Sequence, residues 1–260
     1  MIARIARTLP RLVRLVILPL AALILWQFAA QFRFANTVLL PPPGRVAVAA
    51  VRTLQSGELL HHLADSLLRI FYANIIALGT GVPLGMFMGL YQPFEEVVDG
   101  LLNLLRPVPP IAWIPLAILW FGIGETPVVF ITLLAAFFAV LLNTFAGVRS
   151  IDKSLVRAAL ALGASRRILI TRVVLPATLP SIFTGMRIAI GVSWGSIVAG
   201  ELVAATSGLG FMITFYREVL RTDLILVGMI SIAIAGLLMD RGLRWLERRV
   251  LPWRVGFQMR

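Results

Sequence analysis

The sequence contains no cysteine and only two histidines, His61 and His62. Without a thiol the chain can form no disulfide, and it offers neither a cysteine nucleophile nor a cysteine-ligated metal site. The two histidines are adjacent, and neighbouring residues of a helix or strand point to different faces, so they make a poor metal-binding pair. We expect a solvated pair of loop histidines here, and no metal or other cofactor bound by this chain.

Charged residues are also scarce, at 14% of the 260 residues against 59% hydrophobic residues. A soluble domain is usually about half apolar and about one quarter charged. The apolar residues lie in long blocks, which indicates an all-α integral membrane protein. The sequence also lacks a G-x-x-x-x-G-K-[ST] phosphate loop, a paired-histidine metal motif and a nucleophile elbow. We therefore expect a membrane protein that is not an enzyme.

Six apolar stretches are long enough to cross a membrane, because about 20 helical residues span the hydrocarbon core. The predicted spans cover residues 12–32, 63–91, 97–121, 128–148, 179–202 and 224–243. The first follows basic residues but is longer than a signal-peptide core, so we interpret it as a retained span. The predicted organisation is a cytoplasmic segment 1–11, a six-helix membrane domain 12–252 and a cytoplasmic tail 253–260.

The orientation follows from the cations, which give the chain a formal charge of +12. Arginines concentrate in the N-terminal segment, in the loop between the fourth and fifth spans, and near the C-terminus. The positive-inside rule places these three regions, and hence both termini, in the cytoplasm. It also explains the net charge without nucleic-acid binding. In the first outer loop, the sequence GRVAVAAVRTL predicts a short amphipathic helix.

Two spans have unusual composition. In the second, Gly81, Gly85 and Gly89 are spaced by four and form a stripe that favours close helix packing over contact with a solute. In the third, prolines at positions 107, 109, 110 and 115 predict a bent or broken helix, either a wall of a pathway or a bent packing helix.

Polar and aromatic residues inside the spans are candidates for a translocation path. Charges within a membrane usually face the protein interior or extend to the headgroups, and in a cavity Arg106 and Arg187 would attract an anionic solute. The predicted path residues are Arg106, Trp113, Asn143, Arg187, Ser193, Trp194 and Glu201.

The loop 149–176 is basic, amphipathic and interrupted by glycine. Asp152 can cap a helix that begins at Lys153, Gly163 suits the left-handed end of that helix, and Ser165 can begin a second helix that ends before Pro176. Such a unit could rest on anionic lipid, but a glycine break and a flat, small face suit a groove in a partner protein better. The predicted docking residues are Leu155, Arg157, Ala158, Ala159, Leu162, Gly163, Ala164, Ser165 and Arg166.

This loop also carries a family resemblance. The pattern AA---G-----------LP, matched by Ala158, Ala159, Gly163, Leu175 and Pro176, resembles the cytoplasmic loop of ABC importer permeases. The stretches LRPVPPIAWIPLAILWFGIGE, LPATLPSIFTGMRIAIGVSWGSIVAGELVAAT and GLGF resemble the sulfonate, nitrate and taurine branch, and RPVPP, RAA, GVSW and SGLGFMI look most like taurine permeases. The resemblance covers nearly the whole chain.

The resemblance implies a type I importer permease in a bacterial inner membrane. Its expected partners are a second copy of this chain, two cytoplasmic ATP-binding subunits that carry ATP and magnesium, and an external solute-binding protein. The first loop helix would sit in a cleft of the ATPase, although Arg157 stands where the family usually has glutamate. The solute would be a sulfonate such as taurine, with nitrate, bicarbonate or another small solute of the same branch as alternatives. Two other classes of protein remain open, an ion-gradient-driven transporter and a membrane scaffold that transports nothing.

Overall fold

A computed structural model describes residues 11–32 and 39–253, with side chains from residue 17 onward. Within these residues the chain is helical and has no β-strand, as the sequence predicts. Most of the predicted N-terminal segment 1–11 and of the tail 253–260 lies outside the described residues. The described chain divides into two compact units, one formed by residues up to 61 together with 212–230, the other by residues 62–211 together with 231 onward.

The helices follow one another with short connections. In chain order they are α1 (Arg11–Gln31), α2 (Pro43–Gln55), α3 (Glu58–Leu90), α4 (Gln92–Leu105), α5 (Ile114–Phe121), α6 (Glu125–Arg149), α7 (Lys153–Ala161), α8 (Arg166–Ala204), α9 (Leu209–Glu218) and α10 (Thr222–Val250). A 3₁₀ turn, Pro110–Trp113, precedes α5.

Four helices, α3, α6, α8 and α10, are long and apolar enough to cross a membrane. They coincide within a few residues with four of the predicted spans or contain them. A fifth candidate is the pair α4 and α5. The apolar part of α1 whose side chains are described, Ile17–Gln31, is shorter than a full span.

The predicted third span, residues 97–121, is not one continuous helix. Helix α4 ends at Leu105, the 3₁₀ turn Pro110–Trp113 follows, and α5 leaves at 80° to α4. Prolines lack the backbone N–H that a continuing helix needs, and their rings clash with the carbonyl of the preceding turn. The break that the prolines predict is therefore confirmed.

The glycine stripe of α3 packs against α6, which confirms the predicted packing role. A Cβ at Gly85 would lie 2.7 Å from the Leu141 carbonyl oxygen and 2.9 Å from the Thr144 Cβ. A Cβ at Gly89 would lie 2.6 Å from the Val148 Cβ. These distances are shorter than carbon contacts allow, so the two helix backbones approach closely only because the side chains are absent.

Helices α6 and α8 make an extensive contact in the second unit. Ala136 and Val140 of α6 are buried with Ala189 of α8 and Ala77 of α3. Small residues again allow the approach, because a Cβ at Gly185 of α8 would lie 2.9 Å from the Asn143 Cβ of α6. The α6 and α8 pair therefore belongs to the packed core of this unit.

In the first unit, α2 is the amphipathic helix that the sequence predicts. Pro43 occupies its first turn, where a missing N–H is tolerated, and Val46 and Ala49 are buried. An open cavity of about 800 Å³ is lined by α2 and by polar residues near the start of α10. There Tyr216 donates a hydrogen bond to Glu58, and burial raises the pKa of Tyr216 to about 12.

Candidate functional site

The segment that leads from α6 to α8 contains the predicted cap. The Asp152 Oδ1 accepts a hydrogen bond of 2.8 Å from the backbone N–H of Ser154, the second residue of α7. This bond from the Ser154 amide lowers the pKa of the Asp152 carboxyl below its usual range. The ionised carboxylate therefore holds the start of α7, as the sequence predicts.

Gly163 ends this segment's first helix in the predicted left-handed conformation, with φ at 79°. The Ala164 N–H donates to the Ala159 carbonyl oxygen at 3.0 Å, and this bond closes the helix end. The Ser165 side chain then accepts from the Ile168 N–H at 3.4 Å and caps the start of α8. A residue with a Cβ at position 163 would be strained in this backbone conformation.

Helix α7 has no buried residue. Leu155 is 50% exposed and Leu162, just after the helix, is 89% exposed. Ala158 is exposed and Ala159 is half-buried. The α7 segment, which we define as residues 152–165, therefore presents an uncovered surface of leucine and alanine side chains on the isolated chain.

The second helix of this loop does not end before Pro176, contrary to the prediction. Helix α8 runs without interruption from Arg166 to Ala204 and passes through Pro176 and Pro180. Its residues Leu169–Val174 form a π-helical turn immediately before the first proline. A π turn shifts the backbone hydrogen bonds by one residue, and such an adjustment accommodates the proline within the helix.

The predicted path residues differ in burial and in hydrogen-bond partners. Arg106 is exposed at the C-terminus of α4, and Trp113 is half-buried at the end of the 3₁₀ turn. The half-buried Asn143 donates to the Ala139 carbonyl oxygen of its own helix. Ser193 is fully buried and accepts a hydrogen bond of 3.0 Å from the Asn74 amide. Trp194 beside it is 8% exposed.

Arg187 is bound by acidic residues of α10. Its guanidinium pairs with Glu247, and its Nε lies 3.7 Å from the Asp240 Oδ1. The sequence around Arg187 does not reveal either partner, because both lie in α10. A paired arginine costs less within a membrane than an isolated one.

Glu201, the last predicted path residue, belongs to a network that the sequence does not reveal. Its side chain is fully buried and binds the guanidinium of Arg69, whose Nη1 lies 2.7 Å from the Glu201 Oε1. Ser66 also donates to Glu201 at 2.7 Å, and the Gly210 N–H donates at 2.8 Å. The carboxylate therefore receives donors on both oxygens, which compensates its burial.

Arg69 itself uses every donor nitrogen. Besides Glu201, it binds the carboxylate of Glu125 in a bidentate pair and donates to the Ser207 carbonyl and hydroxyl oxygens, at 2.8 Å and 2.7 Å. We use the name Arg69 network for Arg69, its partners Glu125, Glu201 and Ser207, and the two further donors to Glu201, Ser66 and Gly210. Arg69 is 2% exposed, and a charge within a predicted span is the one sequence signal that could have marked it.

Residues 207–210, which lead into α9, contact the network. Gly208 has φ at 105°, and a Cβ there would collide with the Glu201 carboxylate and with Arg69. Its N–H donates to the His62 Nδ1 at 3.1 Å. His61 and His62 are therefore helical residues of α3, and the expectation of a solvated loop pair is wrong. The described residues contain no His, Asp and Glu group suited to a metal ion.

The Arg69 network and the α7 segment lie at opposite ends of the same two helices. Glu125 is the first residue of α6, and Glu201 lies in the last turn of α8. The α7 segment follows the last residue of α6 and precedes the first of α8. The packed pair of helices thus connects the uncovered α7 segment to a buried group of charges.

Comparison with known proteins identifies the family of this chain. The family described as binding-protein-dependent transport system inner membrane component matches residues 81–252. The chain is 43% identical over 251 residues to the taurine transport system permease protein TauC of Escherichia coli, covering 94% of this chain and 91% of that one. It is 35% identical to the putative aliphatic sulfonates transport permease protein SsuC of Bacillus subtilis, covering 93% and 88%.

A solved structure has the same fold. A chain of the MetNI methionine ABC transporter, solved in inward facing conformations, matches with a TM-score of 0.55 and 22% identity, over 69% of this chain and 93% of that chain. The family match covers more than half of the chain, and the relatives cover nearly all of it. The protein therefore belongs to the inner membrane components of binding-protein-dependent transport systems, the permeases of ABC importers.

Proposed function

We propose that this chain forms the transmembrane path for a small sulfonate such as taurine, or a related anion, and couples its uptake to ATP hydrolysis on partner chains. The similarity to a taurine permease over 94% of the chain supports the choice of solute. The absence of a phosphate-binding loop from the sequence agrees with ATP chemistry on another subunit.

The proposed assembly contains two copies of this chain, two cytoplasmic ATP-binding subunits and an external solute-binding protein. In it the chain crosses the inner membrane six times, with both termini in the cytoplasm. The family match and the positive-inside distribution of arginines support this arrangement.

The observation that carries the coupling proposal is the uncovered α7 segment. A short helix is held by the Asp152 cap at one end and by Gly163 at the other, yet buries none of its own residues. An exposed leucine and alanine surface on a fixed short helix suits a groove in a partner protein. We place the ATPase contact on Leu155, Arg157, Ala158, Ala159, Leu162, Gly163, Ala164, Ser165 and Arg166.

The path residues of this proposal are Arg106, Trp113, Asn143, Arg187, Ser193, Trp194 and Glu201. Ser193 and Glu201 are buried in the described conformation, so they would contact a solute only after the helices around them move. Movement driven by ATPase closure is the step that such a permease needs. Domain closure around a bound ligand is a common type of conformational change in proteins.

Gly163→Val tests the coupling proposal. A β-branched residue in this left-handed conformation costs about 1–3 kcal/mol of strain, so the α7 segment should lose its docking shape. In liposomes containing the assembled transporter, we expect stimulation of ATPase activity by loaded binding protein, and ATP-driven taurine uptake, to fall about tenfold.

Gly100→Val is the matched control. Gly100 lies in α4, has no positive φ, and has no atom within 4 Å of an added Cβ. It should retain both activities. Unchanged coupling in Gly163→Val would contradict the docking role, and uptake by the purified chain without an ATPase would favour an ion-driven transporter instead.

Arg157→Glu tests the charge of the docking surface. If Arg157 pairs with an acidic residue of the ATPase, the reversed charge should weaken assembly severalfold at low salt and much less at high salt, because salt screens exposed pairs. Assembly is measured by co-purification of permease and ATPase at two ionic strengths. Equal recovery of both forms at low salt would exclude this pairing.

A further inference from the structure

The two carboxylates of the Arg69 network are held very differently. Glu201 has a fully buried side chain and accepts hydrogen bonds from Ser66, Arg69 and the Gly210 N–H. Glu125 has a side chain that is 60% exposed, and within the described chain its hydrogen bonds come from Arg69 alone. Glu201 is therefore a fixed partner of Arg69, whereas Glu125 is the partner that water or another anion can replace.

The backbone before Glu125 is suited to such a release. Gly122 and Gly124 have φ at 77° and 139°, and an added Cβ at either would meet nothing within 4 Å. The connection is held by the Gly124 N–H, which donates to the Ala204 carbonyl oxygen at 2.8 Å. These two glycines can change their backbone angles without a steric clash, which a movement of Glu125 would require.

A cavity of about 360 Å³ adjoins the exposed side of Glu125. Its walls include Tyr72, Phe121 and Phe130, and its size is at the lower end of the range for small-molecule sites. Glu125 is itself one of the lining residues, so the cavity adjoins the carboxylate that pairs with Arg69. Aromatic faces next to a carboxylate favour an ammonium group.

The charges of the network define which solute can enter without an electrostatic penalty. Two carboxylates against one guanidinium leave one net negative charge. A plain anion that displaced Glu125 from Arg69 would add a second negative charge beside it. A zwitterion adds none, because its anionic end can take the place of Glu125 on Arg69 while its ammonium pairs with the released carboxylate.

We infer that Arg69 and Glu125 form a subsite of the permease for a small zwitterion that carries a sulfonate and an ammonium, and that Glu125 occupies the sulfonate position in the empty state. Arg69 presents Nε and Nη2 to the sulfonate oxygens in the bidentate geometry it now uses for Glu125. Glu201 keeps the guanidinium oriented throughout. This inference rests on the proposed function, which places a sulfonate in the membrane path.

The test measures binding to the assembled transporter in nanodiscs without the solute-binding protein, so that selectivity comes from the permease. Taurine, ethanesulfonate and ethylamine are compared at equal ionic strength by the shift that each causes in the apparent unfolding temperature. In the wild type, taurine should bind more tightly than the other two. In Glu125→Gln, the taurine preference over ethanesulfonate should fall about tenfold, since a charge-assisted hydrogen bond is lost.

Glu95→Gln is the matched control. Glu95 also lies in the first turn of its helix and pairs with an arginine, Arg149, so the variant loses the same charge from an arginine pair outside the Arg69 network. It should keep the wild-type order of ligands. An unchanged taurine preference in Glu125→Gln, or no specific stabilisation of the wild type by taurine, would overturn the inference.

ATP-driven taurine uptake with the binding protein, measured after the same purified wild-type transporter is reconstituted in liposomes, separates the two proposals. Absent uptake would contradict the proposed function. Intact uptake, combined with a ligand order that does not depend on Glu125, would contradict the subsite alone.

Discussion

Arg69→Met should destabilise the protein by about 3–5 kcal/mol, which is the usual cost of removing one partner from a buried ion pair. The variant leaves the Glu201 carboxylate at 1% exposure with only Ser66 and the Gly210 N–H as hydrogen-bond donors. Glu125→Gln should cost much less, because the Glu125 side chain is 60% exposed and water can solvate its replacement.

Tryptophan fluorescence during heating of the purified protein in detergent measures this effect. The double variant Arg69→Met with Glu201→Met should recover much of the lost stability, since apolar residues of similar volume can replace a buried pair with little net loss. An Arg69→Met protein that unfolds at the wild-type temperature would contradict the assignment of Arg69 as the buried counterion of Glu201.

Features set by neighbouring residues could be predicted from the sequence. The Asp152 cap, the left-handed Gly163 and the proline break before α5 each depend on a few consecutive residues, and the structure has all three. The spacing of Gly81, Gly85 and Gly89 also predicted a packing face correctly, because a four-residue repeat marks one side of a helix. Only the partner helix, α6, could not be named.

Features set by distant residues could not be predicted. The partners of Arg69 are Glu125 and Glu201, which lie 56 and 132 positions away in the chain. No periodicity or motif relates residues at such separations, so the sequence marks Arg69 only as a charge within the predicted span 63–91. Pro176 shows a different limit, because a π-helical turn of α8 accommodates it where the sequence predicts a helix end.

The close helix contacts connect the two ends of the second unit mechanically. The Arg69 network lies at the start of α6 and the end of α8, and the α7 segment lies at their other ends. Between them, α6 is packed tightly against both α3 and α8 through glycines. Interiors packed at this density transmit displacements and do not absorb them, so a force on the α7 segment would reach the network only while these contacts are intact.

Gly85→Ala should therefore weaken both stability and coupling, although alanine is the better helix former. Alanine normally stabilises a helix by about 0.5–1 kcal/mol relative to glycine. At position 85 its Cβ would lie 2.7 Å from a carbonyl oxygen of α6, and overpacking of this kind costs about 1–3 kcal/mol. The clash exceeds the helix preference, so we expect a lower unfolding temperature and reduced ATPase stimulation by loaded binding protein.

Gly79→Ala separates the two effects. Gly79 lies in the same helix, but an added Cβ there has no atom within 4 Å, so the helix preference acts alone and stability should hold or rise slightly. Unfolding temperature and ATPase stimulation are measured for both variants in the assembled transporter. If Gly85→Ala kept its unfolding temperature and its ATPase stimulation, as expected for Gly79→Ala, the close packing of α3 on α6 at Gly85 would be contradicted. The proposed mechanical link through α6 would then have no support.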